Sequence, residues 1–271
     1  MIRLLGLTVL LLWAGAAEAV ETYAQARAQL DAGPAATVRA VVDGDTVILD
    51  PAPDGAAQVR LVGIQAPKLP LGREGFKAWP LSAESKRALE DLTLGKRLTL
   101  YFGDSRMDRH GRHLAHLFLD DGTWVQGRMI EDGMARVYTF PDNRRLAAAM
   151  LVRETAARTA GRGIWALRYY RPRATEAGPL LGELGTFQLV EGRVLKAARV
   201  RGKVYLNFGE NWRDDFTVAF SKRAARLFTT SDLSPDAIQG KRVRVRGWLR
   251  KRNGPMIDVT HPEQVEILDG G

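Results

Sequence analysis

The chain has 271 residues, 45% of them hydrophobic, no cysteine, and 40 Lys and Arg against 31 Asp and Glu, for a net charge of +9. That apolar content at that length buries a real core and excludes a disordered chain, while the lack of cysteine excludes a disulfide framework, a thiolate metal site and a cysteine nucleophile. The excess of positive charge favours polyanionic partners, nucleic acid first and anionic lipid headgroups second.

Residues 1–19 open on Met1-Ile2-Arg3, continue through an apolar run from Leu4 to Trp13 and end on Ala17-Glu18-Ala19, the pattern of a secretory signal cut before Val20. Glu18 and the alanines interrupt the run before the roughly 20 apolar residues of a membrane anchor accumulate, so we expect no integral span after cleavage, an uncleaved anchor being the alternative. An exported chain without disulfides suits a periplasmic or a secreted address. Residues 20–37 read as a helical or loose lead-in. Apolar alternation starts at Val38 and predicts strands near 38–43, 45–50, 58–64, 97–103 and 112–119, with turn signals at Asp43-Gly44, Asp54-Gly55 and Asp121-Gly122. A helix is predicted from Ser82, as N-cap, to Leu94, with Gly95 just past its end. Val125, Met129 and Ile130 mark a short second helix that stops at Gly133, and an alanine-rich third runs from Arg144 to Ala160. Five strands with interleaved helices predict a β-rich α+β fold, an OB-type five-stranded barrel over 38–167. Residues 168–186 mix prolines, glycines and charges and read as a linker. Over 187–271 the period is two again, at Val204-Leu206-Phe208, Phe216-Val218-Phe220 and Val243-Val245, which predicts a second small OB-like β-barrel.

Three segments carry the chemistry: Val41-Val42-Asp43-Gly44-Asp45-Thr46-Val47, then Val59-Arg60-Leu61-Val62-Gly63-Ile64-Gln65-Ala66-Pro67-Lys68, then Asp108-Arg109-His110-Gly111-Arg112. Together they resemble the staphylococcal nuclease (thermonuclease) family over roughly Val38 to Leu167. The resemblance implies an SNase-like OB fold and hydrolysis of DNA or RNA phosphodiesters. It also implies carboxylate ligands to Ca2+ from the first segment, an arginine, a further carboxylate ligand and a glutamate base from the second, and a second arginine from the third. Carried over by position, Asp43 and Asp45 are metal ligands, and Arg60 and Arg112 are catalytic phosphate clamps, a task suited to the planar guanidinium fork. Two positions depart from the family. Gln65 stands where a metal-binding aspartate is expected, and Lys68 stands where the glutamate base is expected.

A family-like site carries four carboxylates, whereas Asp43, Asp45, Gln65 and Lys68 sum to −1. At an effective dielectric of about 20, a divalent ion about 4 Å from one unit charge gains roughly 8 kcal/mol, so each lost ligand weakens calcium by orders of magnitude. Gln65 can still offer its amide oxygen, and Ca2+ binding is therefore expected to be weak. A protonated lysine accepts no proton from water, and Glu74 in the following loop is the candidate replacement base. Alternatively, the Lys68 ammonium sits where the metal would and binds phosphate directly. His110, His113 and His116 cluster in sequence, but His113 and His116 are an odd number of positions apart and face opposite sides of a strand, against a shared zinc ion. His110, next to Arg112, is the one expected to touch substrate.

Residues 171–271 carry 18 Lys and Arg against 12 Asp and Glu, compared with 22 against 19 over residues 1–170. Arg242, Arg244, Arg246, Trp248, Arg250 and Arg252 occupy every even position of one predicted strand and form a cationic strip with an aromatic. Tyr205, between Lys203 and Asn207, adds a second stacking surface, the combination used by single-strand binders; a solvated strand face with Trp248 packed under a loop is the alternative. The sequence thus points to an exported nuclease-family protein that engages DNA or RNA phosphodiesters, single strands favoured, with hydrolysis weakened at Gln65 and Lys68. Two other classes are a non-catalytic nucleic-acid-binding protein and an envelope polyanion-binding interaction protein.

Overall fold

The structure, a computed structural model, describes residues 23–228 and 234–268; the secretory signal read at residues 1–19 lies outside them. The chain divides into two compact units at Leu167 and Arg168. Among the described residues no helix is long and apolar enough to cross a membrane.

The strands of the first unit are β1 (Asp31–Asp43), β2 (Thr46–Asp50), β3 (Gln58–Leu61), β4 (Ile64–Gln65), β5 (Arg97–Phe102), β6 (His113–Leu119) and β7 (Arg136–Val137). Five of them close a barrel in the order β1-β2-β3-β6-β5, with β3 and β6 parallel and the other pairs antiparallel. Alternate residues of these strands fill it: Val38, Val47, Leu49, Val59, Leu61, Leu98, Leu100 and Leu117 are all buried. Each such side chain contributes about 1.5–3 kcal/mol by leaving water. The helices are α1 (residues 23–28), α2 (Ser82–Thr93), α3 (Val125–Glu131) and α4 (Ala147–Thr159), and β4 pairs with β7 as a separate short ribbon.

Two local expectations change. Residues 31–37 are not a loose lead-in but the first half of β1, paired with β5 from Asp31 opposite Phe102 to Thr37 opposite Arg97. Their pattern is hidden because the segment holds mostly small residues with no apolar alternation, and at Gly33 nothing larger fits: a Cβ there would lie 2.4 Å from the Phe102 ring. Ser82 is not the N-cap of α2; Leu81 takes that position in the left-handed region at φ 63°, and Ser82 is buried as the first helical residue. The helix ends as expected before Gly95, whose φ of 72° favours glycine.

The second unit contains β8 (Phe187–Arg193), β9 (Lys196–Val200), β10 (Lys203–Asn207), β11 (Thr217–Phe220), β12 (Arg242–Arg252), β13 (Gly254–Val259) and β14 (Val265–Ile267). Only Val194 and Leu195 separate β8 from β9, and the Leu195 amide bonds to the Asn207 carbonyl on β10, so the two behave as one bent strand. Counted so, the pairing runs β9-β10-β11, then parallel to β13, then β12 and back to β8, the same circuit as the first barrel. Val204, Leu206, Phe216, Val218, Val243, Val245 and Ile257 form its core. Residues 168–186 are not a free spacer: they hold a 3-10 turn at Arg168–Tyr170 and α5 (Ala177–Leu181), whose Leu180 is buried in this core. Two short helices, α6 (Lys222–Phe228) and α7 (Pro235–Ile238), complete the unit.

Candidate functional site

The tight turn between β1 and β2 places Asp43 and Asp45 side by side. Gly44 lets this turn sit against α2, because a Cβ there would lie 2.0 Å from Ser85 Oγ. Ser85 in turn donates to the Met134 carbonyl at 2.7 Å. Both carboxylates are buried, Asp45 completely. The Asp45 amide donates to Asp43 Oδ1 at 3.2 Å, and the Ala66 amide donates to Asp45 Oδ2 at 2.8 Å.

Lys68 reaches into this turn from the loop after β4. Its Nζ lies 2.6 Å from Asp45 Oδ2, 2.9 Å from Oδ1 and 3.5 Å from Asp43 Oδ2. Arg60 approaches from β3 with Nη2 3.3 Å from Asp45 Oδ2. The rest of its guanidinium donates to main-chain carbonyls: Nη1 to Leu61 and, at 3.3 Å, Asp45, and Nη2 to Ile64 at 2.6 Å. The bend at Gly63, φ 79°, ends β3 between the carbonyl-bearing residues Leu61 and Ile64. Two buried carboxylates thus meet two cations. Burial alone would raise the Asp45 pKa, but Arg60, Lys68 and the Ala66 amide hold it down at about 2. Asp43 moves up, pushed by burial and by the neighbouring Asp45 charge.

Arg112 is held differently. Its Nε and Nη2 form a fork on Asp108 Oδ2 at 2.7 and 2.6 Å, while Asp108 Oδ1 accepts the amides of His110 and Arg112. Although partial burial works the other way, these donors keep the Asp108 carboxyl below its usual range. The guanidinium stays partly open to solvent, and His110 beside it is exposed. Parallel pairing sets Val59 opposite His113, so Arg60 follows and Arg112 precedes that pair on adjacent strands. Each guanidinium is held by its own carboxylate, Arg60 by Asp45 and Arg112 by Asp108.

Comparison with known proteins matches residues 58–167 to a family described as staphylococcal nuclease homologue. An uncharacterized endonuclease of Escherichia coli O157:H7 is 32% identical over 127 residues, 46% of this chain and 72% of that protein. This chain belongs to the staphylococcal nuclease family. A probable staphylococcal-like nuclease of Oryza sativa subsp. japonica is 35% identical over 109 residues, 40% of this chain, and a thermonuclease of Staphylococcus intermedius is 28% identical over 107 residues, 39% of this chain and 61% of that protein. The chain spans only 29% of the length of the rice relative.

The family is typically Ca2+-dependent, and the residues present here do not fit that ion. Calcium takes six to eight oxygen ligands. Asp45 Oδ1 already receives Lys68 and Thr46 Oγ1, and Oδ2 receives Lys68, Arg60 and the Ala66 amide. Gln65, expected as a weak ligand, turns its Oε1 to Arg136, which donates from Nε at 3.0 Å and Nη2 at 2.7 Å; the ribbon register places the two opposite each other. Arg136 is a site residue that no motif in the sequence marks. Its only trace there is Ala135-Arg136-Val137, a lone cation inside an apolar strand pattern. Among the described residues no group of three His, Asp or Glu side chains is arranged to hold a metal.

Glu74 is exposed and has no hydrogen bond or ion pair with Arg60, Arg112, Asp43 or Asp45, so nothing positions it as a base. His113 Nε2 meets the Pro53 carbonyl at 2.9 Å, and His116 is buried against Trp124, its pKa pushed down to about 3 by burial. The C-terminal strip is not an open cationic face over its first half. Glu191 on β8 and Glu266 on β14 flank β12 and take up its first three arginines: Arg242 at 3.3 Å and Arg244 at 2.7 Å from Glu191, Arg246 at 2.6 Å from Glu266. Arg246 is 1% exposed and cannot meet a nucleic acid. Trp248, 40% exposed, stands edge-on to Phe187, and Arg250 remains open, 3.8 Å from Asp258.

Proposed function

We propose that this protein is an exported nucleic-acid-binding member of the staphylococcal nuclease family in which a built-in ammonium replaces the divalent ion and hydrolysis is largely lost. The observation that carries the reading is the Lys68 Nζ, 2.6 and 2.9 Å from the two oxygens of Asp45. In the family's chemistry the ion stabilises charge that develops on the phosphate, while a carboxylate base takes a proton from water. Here Lys68 meets Asp45 as a proton donor with no lone pair to offer water, and its charge neutralises the ligand instead of activating substrate. Arg112, partly open on its Asp108 support, is the group that meets phosphate, with His110 alongside; Arg60 shapes the site by anchoring the β3 bend. Single strands of DNA or RNA are the favoured partners, because unpaired chains offer both phosphates and base faces. The alternative class, a surviving phosphodiester hydrolase, requires that calcium displace Lys68.

The test is cleavage of plasmid and single-stranded DNA and RNA in calcium, magnesium or EDTA, alongside nucleic-acid binding in the same buffers. Binding is expected to persist in EDTA and calcium to add no cleavage. Robust cleavage abolished both by EDTA and by Asp45→Ala would overturn the reading.

A further inference from the structure

The second unit carries a cleft of about 550 Å³, within the range that takes small ligands. Its floor follows from the strand period. With Val204 and Leu206 committed to the core, Tyr205 and Asn207 of β10 face the other way, and the register sets Tyr205 opposite Ala198 and Asn207 opposite Lys196 of β9. Trp212 lines the cleft from the loop between β10 and β11 and is 54% exposed. The Arg213 guanidinium lies over its ring at 5.0 Å.

The rim is built rather than loose. Asp215 accepts the Asn211 amide at 2.7 Å, and the turn between β12 and β13 closes on this loop so tightly that a Cβ on Gly254 would lie 2.4 Å from the carbonyl oxygens of Asp214 and Asp215. That turn brings Arg252 into the lining, so two cations, Lys196 and Arg252, face one carboxylate, Glu210. An exposed Trp212, a half-buried Tyr205, an amide and a net positive lining suit flat rings carried on an anionic chain, since every base offers a π-face and stacking tolerates sequence.

We infer that this cleft is a second nucleic-acid site, taking unpaired bases on Trp212 and Tyr205 with the adjoining phosphates on Lys196 and Arg252. It rests on the reading of the protein as a nucleic-acid binder, but uses residues wholly separate from Lys68 and Arg112. Paired bases hide their faces within the stack, so a duplex gains nothing here.

The test is fluorescence anisotropy of a short labelled oligothymidylate titrated with the full chain, with a neutral chito-oligosaccharide as competitor. Trp212→Ala and Tyr205→Ala should each weaken binding roughly 5- to 150-fold, the equivalent of one lost stack, and Trp212→Phe should retain most of it. Arg252→Gln should lower the slope of log affinity on log salt by about 0.7, one phosphate on a single strand. Circular dichroism confirms that the variants fold. If both alanine variants bind as wild type while Arg112→Ala weakens binding, the cleft assignment is overturned and the proposed function stands. If wild type binds no oligothymidylate, both fall. If the neutral sugar binds through Trp212 and displaces the oligonucleotide, the cleft is a glycan site and the inference is wrong.

Discussion

Replacing Lys68 with alanine tests the central contact. The carboxyl of Asp45 sits at about 2 in the folded protein against 3.8 for an ordinary aspartate, which corresponds to about 2 kcal/mol of stability. Because the folded value is depressed, this stability is fully present above pH about 4 and is lost as pH falls toward 2; the raised Asp43 pKa opposes it in part. Lys68 supplies two of the close contacts to Asp45 and Arg60 the remaining cation, so removing Lys68 should cost about 2 kcal/mol at neutral pH, below the roughly 3–5 kcal/mol typical when a buried ion loses its sole partner. The variant also empties the space between the carboxylates, and calcium at about 100 times its Kd should then return about 2.7 kcal/mol. Urea denaturation of wild type and Lys68→Ala, each with and without calcium, reads all four quantities. The reasoning fails if Lys68→Ala unfolds at the wild-type urea concentration, or if calcium stabilises wild type as much as the variant.

Three further expectations concern other parts of the chain. His116, completely buried with a pKa near 3, must stay neutral to fold, so its contribution to stability is fully present above pH about 6.5 and falls by about 1.4 kcal/mol per pH unit below it; thermal melts of wild type and His116→Leu between pH 7 and 5 should show wild type losing stability more steeply, the difference between the two slopes being the His116 contribution. Arg112→Ala should weaken a small nucleotide bisphosphate by about 1.5–3 kcal/mol in calorimetric titration, with Arg112→Lys also damaging because a point charge cannot reproduce the fork. Arg246→Met should cost about 2–3 kcal/mol in urea denaturation, because Glu266 keeps only Arg244, yet leave the salt dependence of single-strand binding unchanged.

Where side chains alternate by burial, the strands could be read directly: Val47 and Leu49, or Val59 and Leu61, mark β2 and β3 without further information. The first half of β1 could not, since Ala32, Gly33, Ala35 and Ala36 show no apolar alternation, and Gly33 is kept small by the Phe102 ring. In the site, the departures at Gln65 and Lys68 were plain, but their consequences depended on reach. Arg136 lies 71 residues from Gln65, and Glu191 lies 53 residues from Arg244, so only the strand order reveals that these charges meet. An arginine every second residue is legible; whether a carboxylate on the next strand has already claimed it is a property of topology.

Arg173 gives residues 168–186 a role beyond connecting. Its amide donates to the Leu189 carbonyl at 2.7 Å and its carbonyl accepts the Glu191 amide at 2.8 Å, a one-residue parallel bridge on the side of β8 away from β12. The side chain is pinned by Glu183 at 3.0 Å. Arg173 therefore acts as a plug over an otherwise open strand edge. A fragment begun at Phe187 would keep every barrel strand and still bare two main-chain groups in line, a template for another chain to add to. Cut before Arg168, the same unit keeps its plug, so the choice of boundary decides whether the isolated module stays monodisperse or self-associates through β8.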